Sequence, residues 1–274
     1  MPSDAIHHVE ANGLRFAYLE QGTGPLVLLL HGFPDTPHSW DDVRPRIAAK
    51  GYRVVAPWTR GYAPTAIPER DADLETLARD VLGLIEALGE RAAIVIGHDW
   101  GAAAAYAAAS LEPARIAQLV AIAIPHPASL TPTPRQVWGV RHFLAYKLPG
   151  AARRFAANDF AAMTALCQRW APTWDLTAEE LAPVRAVFAQ PGSLDAAFGY
   201  YRELRFRPQA FFRASIPAPT VVFAGLDDPM ITPAHYRAAA RKFTGGYVVE
   251  EMRGGHFMHR EHPDEFAAKL LPHL

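Results

Sequence analysis

An aspartate, a second aspartate and a histidine recur in this chain beside glycines, each just after a run of apolar residues. The first stands in Ile94-Val95-Ile96-Gly97-His98-Asp99-Trp100-Gly101-Ala102-Ala103. A carboxylate is ionised at neutral pH, so it can attack carbon without first losing a proton, as a serine must. The spacing Gly-x-Asp-x-Gly, between a strand-like run and an alanine-rich one, suits a tight strand-to-helix turn. Such a turn drives its central residue toward strained backbone angles and needs small neighbours, which Gly97, Gly101, Ala102 and Ala103 supply. Asp99 would then stand beside a helix N-terminus, where an anion is stabilised. A helix-capping aspartate gives the same local pattern, so this segment alone leaves two readings open. Three other segments bear on the choice: His31-Gly32-Phe33-Pro34-Asp35, Gly225-Leu226-Asp227-Asp228-Pro229 and Gly254-Gly255-His256-Phe257.

The elements that must position these groups follow from periodicity. Leu14 to Leu19 alternates and ends at the turn cluster Gly22-Thr23-Gly24-Pro25. Leu26 to Leu30 is a continuous apolar run, as a strand covered on both faces requires. Tyr52 to Ala56, Ala92 to Ile96 and Ile116 to Ile124 read as further strands. Leu74 to Leu88 carries a helical apolar stripe closed by Gly89, and Ala102 to Leu111 is a strong helix former. Strands alternating with helices imply right-handed crossovers and a mostly parallel sheet. From Ala128 to Arg213 the pattern is helical, without a convincing strand. That stretch of 86 residues holds 14 of the chain's 29 aromatics, well above an even share. Strands resume at Thr220 to Ala224 and Tyr247 to Met252, with helices near Pro233 to Phe243 and Asp264 to Leu271. The expectation is one α/β core domain, 1–127 and 214–274, interrupted by a helical cap, 128–213. At the carboxyl edge of a parallel sheet such a cap roofs the crevice where ligands bind. Most of its aromatics are expected to form its own small core, with a few facing a pocket.

Composition narrows the function classes. The chain has 274 residues, half hydrophobic and a fifth charged, with a formal net charge of -1. That balance offers no electrostatic grip on phosphate backbones, so nucleic acid is not an expected partner. The single cysteine, Cys167, excludes an internal disulfide framework and a cysteine-rich metal site. The opening residues do not read as a signal peptide, and the apolar runs are too short to span a bilayer. A soluble, cytoplasmic protein with no membrane partner is expected.

The order nucleophile, acid, histidine at successive strand ends resembles the α/β-hydrolase fold, over nearly the whole chain. Within that fold, His-Gly-Phe-Pro-Asp, Gly-His-Asp-Trp-Gly and Gly-Gly-His-Phe resemble the epoxide hydrolases, with the haloalkane dehalogenases as near relatives. The resemblance implies a mostly parallel sheet flanked by helices, with a helical lid inserted after the sixth strand. It implies Asp99 as nucleophile, His256 as base and Asp228 as the charge-relay acid, with Asp227 its competitor. Backbone N–H groups of Phe33 and Trp100 would hold the oxyanion. Epoxide hydrolases also place two lid tyrosines on the epoxide oxygen, which leaves as a basic alkoxide. Tyr201 matches one of them, and Tyr200 lies about 100° round the helix from it. The other precedes a Pro-Gly pair, where Tyr146 stands one place later than the family pattern.

The implied reaction opens an apolar epoxide to a vicinal diol through a covalent aspartyl ester, with water as co-substrate and no cofactor or metal. The alternative is a haloalkane dehalogenase on the same triad, its halide held by Trp100 and one of Trp138, Trp170 and Trp174. A small anionic substrate is not expected, because no arginine follows within residues 100–114. A third reading is a non-catalytic α/β-hydrolase relative serving as a ligand receptor. Such proteins often lose a triad member, and none is missing here. His98 reads as a packing residue, His126 as a loop histidine near the pocket rim. His259 and His262 lack a companion cluster at metal-ligand spacing.

Overall fold

The computed structural model describes residues 5–129, 134–205 and 209–274. Eight strands form one sheet: β1 (His7–Ala11), β2 (Leu14–Gln21), β3 (Leu26–Leu30), β4 (Arg53–Pro57), β5 (Ala93–His98), β6 (Ile116–Ile122), β7 (Thr220–Gly225) and β8 (Tyr247–Met252). Their order across the sheet is β1-β2-β4-β3-β5-β6-β7-β8. The two antiparallel pairings lie at one edge, β1 with β2 and β2 with β4. The rest is parallel. β1 adds a strand to those expected from periodicity. It forms a hairpin with β2 through Asn12-Gly13, both at positive φ (43° and 71°), the backbone that a two-residue hairpin turn demands.

Alternate side chains of the sheet feed two apolar layers. Leu28, Leu30 and Val95 join α2 (Leu74–Ala87) and α3 (Trp100–Leu111) on one face. Val27, Leu29 and Ile96 join α1 (Arg44–Ala48) and, from the end of the chain, Phe266 and Leu270 on the other. This explains why β3 and β5 read as unbroken apolar runs: both faces are covered.

Between β6 and β7 the described chain is helical: α4 (Pro134–Gly139), α5 (His142–Tyr146), α6 (Ala151–Trp170), α7 (Ala178–Phe188) and α8 (Ser193–Glu203). The expected cap span includes positions 130–133 and 206–208, which lie outside the described residues. After β7 come α9 (Pro233–Ala238), then β8, α10 (Met258–Glu261) and α11 (Pro263–Leu270). A mostly parallel sheet flanked by helices, with helices inserted after the sixth strand, is the architecture the resemblance implied. The inserted aromatics do not form a separate core, however. Phe155, Phe188 and Phe198 all pack at 5.6 Å on Phe33, which belongs to the loop after β3. Burying them against the sheet's own loop removes more apolar surface than a small independent core could. Among the described residues, no helix is long and apolar enough to cross a membrane.

Candidate active site

Asp99 sits between β5 and α3 at φ 51°, ψ -118°, a conformation that costs a non-glycine residue of order 1–3 kcal/mol. Its neighbours leave no alternative. A Cβ at Gly97 would overlap the carbonyl of Gly101, one at Gly101 would overlap that of Leu30, and one at Gly32 would overlap Asp99 itself. The three glycines therefore let β5, the elbow and the loop after β3 close on one another. The turn lifts the Asp99 side chain over the carboxyl ends of the strands. Its Oδ1 accepts a hydrogen bond from the Phe33 N–H at 2.9 Å. The Trp100 N–H belongs to the first turn of α3, where helical N–H groups have no partner within the helix.

His256 comes from the loop after β8 and is gripped through its backbone. Its N–H donates to Trp170 O at 2.9 Å, and its carbonyl lies 2.9 Å from Nε2 of buried His98. That contact assigns His98 as the Nε2–H tautomer, donating. A Cβ at Gly255 would overlap the same Trp170 carbonyl, so glycine is required for the strand end to approach α6. The imidazole stands between two carboxylates: Nε2 is 3.3 Å from Asp99 Oδ2 and Nδ1 is 3.6 Å from Asp228 Oδ2. Such contacts are loose for hydrogen bonds, as catalytic pairs without ligand often are.

The loop after β7 supplies Asp228. Its Oδ1 accepts from the N–H groups of Met230 (2.7 Å) and Ile231 (3.0 Å), which leaves Oδ2 for His256. Asp227, the competitor, turns away and accepts from Gly254 N–H at 2.9 Å, tying the two loops together. Burial would lower the His256 pKa, but the two carboxylates outweigh it and hold the imidazole up at about 9. Burial would raise the Asp99 carboxyl, yet His256 and the Phe33 N–H keep it below the usual carboxylate range. The resting pair is thus carboxylate and imidazolium.

Over these groups lies an aromatic roof. Tyr201 on α8 is fully buried and its hydroxyl has no hydrogen-bond partner among the described residues. Its ring meets Trp100 edge-on at 5.2 Å, Tyr146 at 5.0 Å and Phe33 at 5.5 Å. Burial keeps this phenol protonated, well above its ordinary pKa. Tyr200, one residue earlier, spends its hydroxyl on Arg60 O, as its place round the helix requires. Tyr146 lies in the same cluster, with its ring stacked on Phe198 at 4.2 Å. Of the three tryptophans weighed for a second donor, Trp170 is the one beside the histidine, 4.6 Å from His256, and its indole N–H has no hydrogen-bond partner among the described residues. Trp138 is 70% exposed, and Trp174 packs on Phe257 and beneath the Arg260 guanidinium. His126 is buried among Tyr106, Phe212 and Phe243, away from the triad.

Two features have no signal in the sequence spacing. Asp35 from the loop after β3, His98 at the end of β5 and His259 in α10 bring ligand-type atoms within 4.8 Å of one another, all three residues buried. Arg260 Nη1 lies 3.1 Å from Asp35 Oδ1, so a fixed positive charge already answers that carboxylate and opposes a metal ion. The second is His142 on α5. It is buried between Trp170 and Tyr146, at 4.9 Å and 5.3 Å, and a lone histidine in a short helix gives no reason to expect it there.

Comparison with known proteins agrees with this architecture. A model of the alpha/beta hydrolase fold matches residues 25–263. The chain is 32% identical over 278 residues to the AB hydrolase superfamily protein YfhM of Bacillus subtilis, spanning 97% of this chain and 96% of that protein. It is 29% identical over 310 residues to epoxide hydrolase A of Mycobacterium tuberculosis, with 97% and 96% covered. Among solved structures, an epoxide hydrolase from Vigna radiata superposes with a TM-score of 0.81 at 25% identity, covering 98% of this chain and 97% of that one. The chain therefore belongs to the α/β-hydrolase fold family, and within it to the epoxide hydrolase-like members.

Proposed function

We propose that this protein hydrolyses an apolar epoxide to a vicinal diol through an ester of Asp99. One observation carries the reading: an ionised aspartate on a strained elbow has one oxygen on a backbone N–H and the other 3.3 Å from His256, beneath the unpartnered hydroxyl of Tyr201. Named epoxide hydrolases among the relatives that span the whole chain support it.

In the first step Asp99 Oδ2 attacks a ring carbon, the ring C–O bond breaks, and its electron pair stays on oxygen. Tyr201 gives that oxygen a proton, since an alkoxide is too basic to leave unassisted. Ester formation erases the Asp99 charge, one of the two that held the imidazole near 9. The histidine pKa then falls, the imidazolium gives up its proton, and by way of solvent that proton replaces the one Tyr201 gave. Neutral His256 now takes a proton from water, which attacks Asp99 Cγ. The oxyanion on Oδ1 is held by the N–H groups of Phe33 and Trp100. Breaking Cγ–Oδ2 releases the diol, whose leaving oxygen receives the proton from His256; the Asp99 carboxylic acid left behind then returns its proton to His256, restoring the carboxylate and the imidazolium, which Asp228 steadies.

A single turnover in heavy-oxygen water tests the scheme. The new diol oxygen comes from Asp99 and should be unlabelled; full label in that first product means direct attack by water. The Trp170 indole N–H, unpartnered beside His256, favours a second reading, a haloalkane dehalogenase in which Trp100 and Trp170 grip the halide. Bromide release from a bromoalkane, unaffected by Tyr201→Phe, would establish that reading instead.

A further inference from the structure

The mechanism leaves His142, a buried polar group of the roof, unused. His142 is 8% exposed. Its Nδ1 lies 3.2 Å from Gly139 O and 3.5 Å from an Arg169 guanidinium nitrogen. One nitrogen cannot serve both, because the carbonyl needs a donor and the guanidinium an acceptor. The closer carbonyl assigns the proton to Nδ1, which leaves Nε2 as a bare lone pair. That nitrogen is buried and has no hydrogen-bond partner among the described residues. Burial, then the Arg169 charge, pushes the ring's pKa down to about 3, so it stays neutral and keeps the lone pair. A buried acceptor without a partner costs about 1–3 kcal/mol, and proteins keep such groups where a ligand answers them.

His142 packs on the rings that surround the triad. Its ring meets Trp170, which itself lies 4.6 Å from His256. Tyr201, over the elbow, is 6.3 Å away centre to centre. The Asp99 carboxylate also acts on it electrostatically. Among the described residues the Tyr201 hydroxyl, a donor, and His142 Nε2, an acceptor, are both without partners, on rings whose centres lie 6.3 Å apart.

Resting on the epoxide-hydrolase reading, we infer that His142 Nε2 accepts a hydrogen bond from the substrate, and that the preferred substrates are epoxy alcohols with the hydroxyl on the carbon next to the ring. The oxirane oxygen goes to Tyr201 and the neighbouring hydroxyl hydrogen to His142. In an otherwise aromatic roof, that hydroxyl is the one polar group the substrate can bury at no loss of hydrogen bonding. An epoxide with methyl in its place leaves the lone pair unanswered, and the site discriminates against it.

The test compares phenylglycidol with its analogue carrying methyl in place of the hydroxyl. Wild type should show a kcat/KM ratio favouring the alcohol by about tenfold over the ratio in His142→Phe, from the loss of one buried hydrogen bond. His142→Gln keeps an acceptor on a similar reach and should hold the ratio within about threefold of wild type. Lost packing lowers both substrates together and leaves the ratio alone. A ratio equal in wild type and His142→Phe overturns the inference. The same ratio is read as Kd by isothermal titration on Asp99→Asn, which binds without turning over. No turnover of either epoxide by wild type would sink the epoxide-hydrolase reading. Equal affinities there would sink the role of His142.

Discussion

The floor and the roof of this site are built on opposite plans. Floor residues are held by backbone and by charge: Asp99 by the Phe33 N–H, Asp228 by the N–H groups of Met230 and Ile231, His256 by Trp170 O and His98. Each sits on a short loop at a strand end, and glycines let those loops touch. Roof residues are held by aromatic packing, and their polar tips, Tyr201 Oη, Trp170 Nε1 and His142 Nε2, have no hydrogen-bond partners among the described residues. The difference teaches a division of labour. The charged groups are fixed by loops of the sheet, whereas the roof's polar tips are left with open hydrogen-bonding capacity.

That division breaks first at the nucleophile. Asp99→Asn should abolish turnover, by roughly 10⁴-fold or more, because an amide is not a nucleophile. Asparagine tolerates the positive φ of the elbow, so the fold should persist, with the melting temperature lowered only by the lost ion pair to His256. Retained activity would take Asp99 out of the floor's chemistry. Next, His256→Gln should form the ester and fail to release it. Intact-mass spectrometry should find protein heavier by one epoxide, and unmodified protein, with binding demonstrated, would speak against a two-step scheme. On the roof the effects should be smaller and unequal. Tyr201→Phe should cost about 10²-fold in kcat/KM for an epoxide, and Tyr146→Phe, whose ring is stacked on Phe198, under about tenfold. Equal losses would mean the two tyrosines share the oxygen evenly.

The smallest effect is on stability. The folded pKa of His256, about 9, is above the ordinary histidine value. Its ion pairs thus contribute fully below about pH 6.5, and the contribution is lost as pH rises through about 9, on the order of 3 kcal/mol at most. Urea unfolding between those values should show the decline. Asp228→Asn removes one of the two carboxylates, so its decline should be shallower; identical slopes would mean the floor is not coupled as described.

Legibility followed the same line. The elbow was readable because steric demands on glycine are local: Gly97, Asp99 and Gly101 declare the turn wherever it lies. The choice of Asp228 over Asp227 came from the family resemblance, and in the structure the two differ in what their oxygens bond. β1 escaped the periodicity reading although Asn12-Gly13 announces its hairpin. His142 left no trace of that kind, since nothing near it in the chain says which way its ring turns.

The amino-acid sequence by itself determined the alternation of strands and helices, the strained turn at Asp99, and the placing of Asp99, Asp228 and His256 after successive strands, because periodicity and glycine requirements act over a few residues. Only the tertiary structure decided which polar tips meet. The separation of Asp99 from His256, the partner of the Tyr200 hydroxyl and the lone pair of His142 depend on elements brought together from distant parts of the chain. Long-range packing selects those orientations, and no local rule encodes them.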